Sequence, residues 1–198
     1  MSIPITKERW LEAQISERSL QNDEFDDKFV KHSRTAYLKY VGYTGLTNGF
    51  DMVGRSIVEI GPSKVPGLYF CTNISHSYMI EPLVFEDSAK ALSSRKDLSF
   101  IRDPAETCEF PKADEAWLFN VLQHVIDPIK IIERCKENVK VIRFFEPIDT
   151  GCDLAHPHTF NFDFFARHFG QDNVKYFIGG SGGQGFHGNN CAYGVYHA

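Results

Sequence analysis

From Ser56 onward, short runs of β-branched and aromatic residues alternate with stretches of helical periodicity, and that alternation admits few folds. Ser56-Ile57-Val58-Glu59-Ile60, Tyr78-Met79-Ile80, Leu98-Ser99-Phe100-Ile101, Ala116-Trp117-Leu118-Phe119 and Val139–Phe145 have the composition of buried strands. Helices are expected over Phe85–Lys96, Pro128–Lys136 and Phe160–His168. Asp127 is placed to cap the second, with Pro128 as its first residue, and Gly170 stops the third. Two last strands, Val174–Ile178 and Ala192–Tyr196, are joined through Gly179-Gly180-Ser181-Gly182-Gly183-Gln184-Gly185. That linker cannot form a crossover helix, so the pair is expected to be antiparallel. The fold class is therefore α/β, in three layers, with a seven-stranded, mostly parallel sheet ending in an antiparallel hairpin.

The preceding segment reads differently. Trp10, Leu11, Ile15 and Leu20 sit among charged residues in a loosely amphipathic pattern, and Phe29, Val30, Tyr37, Leu38 and Tyr40 predict a second helix. Residues 1–55 are read as a helical cap, part of the same domain as the sheet unit at 56–198. Trp10, Tyr37, Tyr40 and Tyr43 are candidate walls for a site that excludes water. Composition sets outer bounds. A chain of 198 residues suits one domain. The net charge of −5, without any basic run, argues against a nucleic-acid track. No stretch is apolar for long enough to span a membrane, and the first residues lack the apolar region of a signal peptide. The cysteines, at 71, 108, 135, 152 and 191, have no zinc-pair spacing and suit a reducing, cytoplasmic location.

In a parallel sheet, ligands bind beyond the carboxyl ends of the strands. The first strand ends in Glu59-Ile60-Gly61-Pro62-Ser63, where the glycine allows a sharp turn and a close approach to a ligand. Glu81, followed by Pro82, lies 22 positions beyond Glu59, near the spacing of a carboxylate that accepts from ribose hydroxyls. After the third strand, Asp103 and Glu106 compete, around Ala105, to meet the exocyclic amine of an adenine. The fourth strand runs into Asn120-Val121, and the fifth into Glu146-Pro147.

Glu59-Ile60-Gly61-Pro62, Ile80-Glu81-Pro82 and Trp117–Val125 with Asp127-Pro128 resemble the successive motifs of the class I, Rossmann-like methyltransferases that use S-adenosylmethionine. The likeness is strongest to the members that modify small molecules and sugars, and the final antiparallel pair agrees with it. It implies that S-adenosylmethionine, leaving as S-adenosylhomocysteine, is held by Glu59, Gly61, Pro62, Ser63, Glu81, Pro82, Asp103, Ala105, Asn120 and Val121. It implies a small-molecule acceptor methylated on oxygen or nitrogen, and neither nucleic acid nor membrane as partner. No Pro-Cys pair is present, and Val121-Leu122 follow Asn120 in place of two prolines and an aromatic, so the resemblance is not to the methyltransferases of adenine or glutamine amines.

A hydroxyl acceptor needs a base, and histidine titrates nearest neutrality. His124, His156 and His158 all fall in loops on the expected catalytic side. His156 and His158, two apart, have ligand spacing, but no third metal ligand is evident, so no metal is assigned. The sequence assigns neither acceptor nor oligomeric state. Two other readings fit the same residues: a binding protein that keeps the fold without catalysis, and an NAD-dependent enzyme.

Overall fold

The computed structural model describes residues 4–23, 27–46, 49–63, 65–83, 95–179 and 189–198. In chain order the elements are α1 (Lys7–Asp23), α2 (Asp27–Tyr40), β1 (Gly45–Leu46), β2 (Gly49–Asp51), β3 (Ser56–Ile60), a 3-10 turn (Gly67–Phe70), β4 (Cys71–Thr72) and β5 (His76–Ile80). There follow β6 (Leu98–Ile101), β7 (Ala113–Phe119), α3 (Pro128–Asn138), β8 (Val139–Ile148), α4 (Phe162–Phe169), β9 (Val174–Phe177) and β10 (Asn190–His197). The helix expected over Phe85–Lys96 lies, but for its last two residues, outside the described residues, as do 180–185 of the glycine-rich linker.

Seven strands form one sheet in the order β6-β5-β3-β7-β8-β10-β9. Each of the pairs β3–β5, β3–β7, β5–β6 and β7–β8 is parallel, so five strands send their carboxyl ends to one edge. Only β10 is reversed, pairing antiparallel with both β8 and β9, as the linker composition predicts. Central β3 has no alternation, with Ile57 to Ile60 all buried, because layers cover both faces.

One face packs against α3 and α4. Phe144 stacks on Phe165 and Phe169, with ring centroids 5.5 and 4.4 Å apart, beside Ile131 and Ile132. Asp127 caps α3 by accepting the Lys130 amide at 3.1 Å, as expected. Helix α4 begins at Phe162, two residues after the expected start. Asn161 takes the cap by accepting from the Phe164 amide at 3.0 Å. Phe160 instead folds back on Phe165, 5.6 Å away, as the apolar staple that precedes a cap.

The other face takes its cover from an earlier part of the chain. Between β3 and β5 stand only the 3-10 turn and β4. Helix α2 covers the sheet in place of a crossover helix, with Tyr37, Leu38 and Val41 packed among Ile57, Met79, Trp117 and Phe145. A three-stranded sheet, β1-β2-β4, completes the layer. Residues 1–55 are therefore not helical throughout. Strands of two or three residues are too short to show periodicity in the sequence.

Gly61, the turn after β3, has φ +59°, and a Cβ there would lie 2.2 Å from Val121 Cγ2. The loops after β3 and β7 thus touch at a point only glycine fits. Gly61→Ala combines a left-handed backbone with overpacking and is expected to destabilise by about 2–4 kcal/mol. Urea unfolding checks this. Val121→Ala should recover part of the loss in a double-mutant cycle, and simple additivity of the two substitutions would show that this contact is not the reason for the glycine.

Candidate functional site

At the carboxyl edge lies a cavity of about 360 Å³, within the roughly 300–1,000 Å³ usual for small-molecule sites. Its walls come from α1, α2 and the loops after β3, β5, β6, β7 and β8. Buried glutamates hold those loops. The Glu59 carboxylate accepts from the amides of Gly67 (2.7 Å) and Leu68 (3.1 Å). Glu81 accepts from Ser63 (3.1 Å) and Leu83 (2.9 Å), and Glu106 from Ile126 (2.6 Å) and Asp127 (3.1 Å). Glu146 takes the amides of Val121 and Leu122 at 3.0–3.3 Å. The buried guanidinium of Arg34 donates to the carbonyls of Pro62 (3.1 Å), Val65 (3.0 Å) and Phe119 (3.4 Å).

Burial governs the charges here. It pushes the Glu81 carboxyl up to about 7, against the Leu83 and Ser63 amides, with Glu17 adding to the rise and Arg34 opposing it. Burial likewise raises Glu146 to about 8, against the same kind of amide bonds. The His124 ring is lowered, first by burial and then by His156, while Glu17 pulls the other way.

Most of the expected residues meet at the cavity. Gly61, Ser63, Glu81, Pro82, Ala105, Asn120, Val121, His124 and His156 all line it. Pro62 is buried behind it, with its carbonyl on Arg34. Three expectations need correction. The carboxylate of Glu59 is spent on the 3-10 turn, and Glu59 is not among the lining residues. Asp103 is exposed, because the Pro104 carbonyl accepts from Thr107 and Cys108 in a tight turn that sends Ala105 and Glu106 inward. His158 is 4% exposed and donates from Nε2 to the Val125 carbonyl at 2.7 Å, so it ties two loops together away from the cavity.

The cap closes the cavity from the carboxyl edge. In α1, Gln14 donates to the His124 carbonyl at 3.1 Å, and Arg9 reaches the carbonyls of Asp153 and Leu154. Of the aromatic candidates, Trp10 and Tyr37 line the cavity. Tyr40 stacks on Phe177 and Tyr43 bonds Glu115 instead. The inward face of α1 is Trp10, Ala13, Gln14 and Glu17; of the expected apolar set Trp10 faces inward, while Leu11 and Ile15 are 47% and 73% exposed. Sequence reasoning missed Arg34 and Glu17. A signal exists for Arg34, which lies three and four positions before Tyr37 and Leu38, on the face of α2 that must be buried.

His124, His156 and Glu17 form a cluster. The His124 and His156 ring centroids are 4.7 Å apart, and Glu17 Oε2 is 3.7 Å from His124 Nδ1. His156 is held by Asp153, which accepts from its amide (2.7 Å) and from Nδ1 (2.8 Å).

The sequence matches no protein-family profile and no curated protein. Solved structures do match. The N-methyltransferase NodS from Bradyrhizobium japonicum WM9, in complex with S-adenosyl-L-homocysteine, superposes with a TM-score of 0.64 at 14% identity, covering 94% of this chain and 97% of its own. The mitomycin 7-O-methyltransferase MmcR gives 0.62 at 14% identity, over 96% of this chain and 60% of its own. The [4+2]-cyclase SpnF gives 0.52 at 12%, over 73% of this chain and 56% of its own. The chain thus spans under two thirds of the length of MmcR and of SpnF. Strand order, the reversed β10 and these superpositions agree on one architecture: the fold is that of the class I, S-adenosylmethionine-dependent methyltransferases.

Proposed function

We propose that the protein is an S-adenosylmethionine-dependent methyltransferase that acts on a small molecule, at oxygen or nitrogen. The observation that carries this reading is Glu81, whose carboxylate stands at the end of β5 on the cavity wall, beside the Gly61–Ser63 turn that donates to it. A carboxylate has about four acceptor sites, and the two amides leave room for a ribose diol. Ile80, Ala105 and Val125 offer apolar contact for an adenine. Arg34 uses three of its five N–H groups on carbonyls, so two remain for the carboxylate of the methionine part. The donor set therefore fits the cofactor, with Asn120 and Val121 on its other side.

When bound, S-adenosylmethionine supplies an electrophilic methyl group. The protein's own contribution is alignment and dryness. Trp10 and Tyr37 close the cavity against water, and the amide bonds to Glu81, Glu106 and Glu146 fix its loops. We assign the acceptor chemistry to His124 and His156 rather than to His158. No described helix is long and apolar enough to cross a membrane. The five thiols, all free, fit a reducing compartment such as the cytoplasm.

Calorimetry with S-adenosylmethionine and, separately, with NAD is the direct test. Binding of the first and not the second is expected, and binding of neither would remove the catalytic reading. Glu81→Gln should weaken cofactor binding at least tenfold, since charge-assisted bonds contribute about 1.5–3 kcal/mol each. A melting curve close to that of the parent would show that the fold survives, and an unchanged dissociation constant would place the ribose elsewhere.

The pH dependence has a definite sign. Hydroxyl donation favours the ionised Glu81, whose carboxyl titrates at about 7 without ligand. Cofactor affinity should therefore rise as pH increases through that value, and binding at pH 6.5 should release a proton. Titrations in two buffers of different ionisation enthalpy measure that proton. It should vanish at pH 8 and in Glu81→Gln.

A further inference from the structure

The methyl-acceptor reading uses His124 and His156 but gives no part to Glu17, which converges with them. Two imidazoles and one carboxylate, each offering one ligand atom, lie within 4.8 Å of one another. All three residues line the same cavity wall. They come from three separate elements: Glu17 from α1, His124 from a 3-10 turn, Leu122–His124, after β7, and His156 from the loop after β8. The sequence hides this, because the visible pair is His156 and His158, and His158 faces away.

We propose that Glu17, His124 and His156 form a site for a divalent transition-metal ion, zinc by its ligand chemistry, which presents an open position to the cavity for a hydroxyl of the acceptor. Two histidines and a glutamate with a fourth position left to solvent or substrate is a catalytic rather than a structural donor set. The tautomers suit it. His156 donates from Nδ1 to the Asp153 carboxylate at 2.8 Å, and His124 from Nδ1 to the Ala155 carbonyl at 3.1 Å. Each Nε2 thereby carries the lone pair, and an oxygen behind each ring holds it in place, as metal-bound histidines require.

The fit needs small movements. Tetrahedral bonds of about 2.1 Å put ligand atoms about 3.4 Å apart, against a present spread of up to 4.8 Å, and Glu17 Oε2, now 3.7 Å from His124 Nδ1, would turn toward Nε2. The Gln123 amide, 3.4 Å from His124 Nε2, is also bonded to Asn120 at 3.0 Å and can stay there. The side chains of Glu17, His124 and His156 are 16%, 12% and 29% exposed, so an ion can enter.

The ion would act as a Lewis acid on a hydroxyl acceptor. The O–H proton leaves to solvent and its electron pair stays on oxygen, so no oxidant or further reactant is involved. Neither imidazole then acts as the base, and the acceptor is an alcohol or phenol rather than an amine. This role rests on the methyltransferase reading, but the metal site does not.

The test is calorimetric titration of the metal-stripped full chain with zinc chloride, with S-adenosylmethionine titrated separately into the same preparation. One zinc per chain is expected. Asp153→Asn, at a side chain 60% exposed, should keep the fold and weaken zinc by about 10–100-fold. His156→Ala and Glu17→Gln should weaken it further, with melting curves close to the parent's, while Cys152→Ser changes nothing. Cobalt in place of zinc should give visible absorption that the His156→Ala variant loses. Absence of stoichiometric zinc, or zinc binding unchanged in His156→Ala, overturns the site. Zinc uptake without cofactor uptake leaves the site standing and removes the methyltransferase reading; the opposite result does the reverse.

Discussion

Four glutamates, none more than 5% exposed, determine the shape of the carboxyl edge. Each captures two backbone amides that no ladder or helix satisfies. An orphaned buried amide costs about 1–3 kcal/mol, so without these carboxylates the loops would have to turn outward to water. The same bonds draw the loop after β7 against β8 and the loop after β6 against the start of α3. The cavity is therefore a by-product of carboxyl–amide bonding, and its outline is set before any ligand enters.

That arrangement concentrates negative charge where water is scarce. The first response is protonation: burial pushes Glu81 and Glu146 toward neutrality and raises Glu59 as well. The second is Arg34, whose charge opposes the rise at Glu59, Glu81 and Glu146. Its donors go to carbonyls, so it serves all three acids through space and stays close to the cavity. A lysine would not do the same, because it lacks the planar fork that spans the Pro62, Val65 and Phe119 carbonyls.

How much of this is readable from the sequence follows from what each element depends on. The sheet is legible because β-branched and aromatic runs in Ser56–Ile60 and Val139–Phe145 have no comparable alternative. The reversal of β10 is legible because glycine cannot supply a crossover helix. Gly61 and Glu81 are legible through spacing. What escapes depends on contacts far along the chain. Glu59 and Glu81 look alike at strand ends, and only the 3-10 turn decides which one faces inward. Asp103 and Glu106 are separated by a turn hydrogen bond. The inward face of α1 is half polar, since Gln14 and Glu17 address loops rather than a core, so a hydrophobic pattern points the wrong way.

The replacement of a crossover helix by α2 has a consequence during synthesis. Arg9 meets Leu154 across 145 positions of chain, and Tyr37 rests on Phe145, 4.7 Å between ring centroids. At about 5–20 residues per second, a ribosome takes roughly 10–30 s to deliver the partners of the first helix. Until Phe145 arrives, 108 positions after Tyr37, the sheet that Tyr37, Leu38 and Val41 cover is incomplete. Long-range topology of this kind folds slowly, and the segment that closes the site is the one a nascent chain must keep in solution longest.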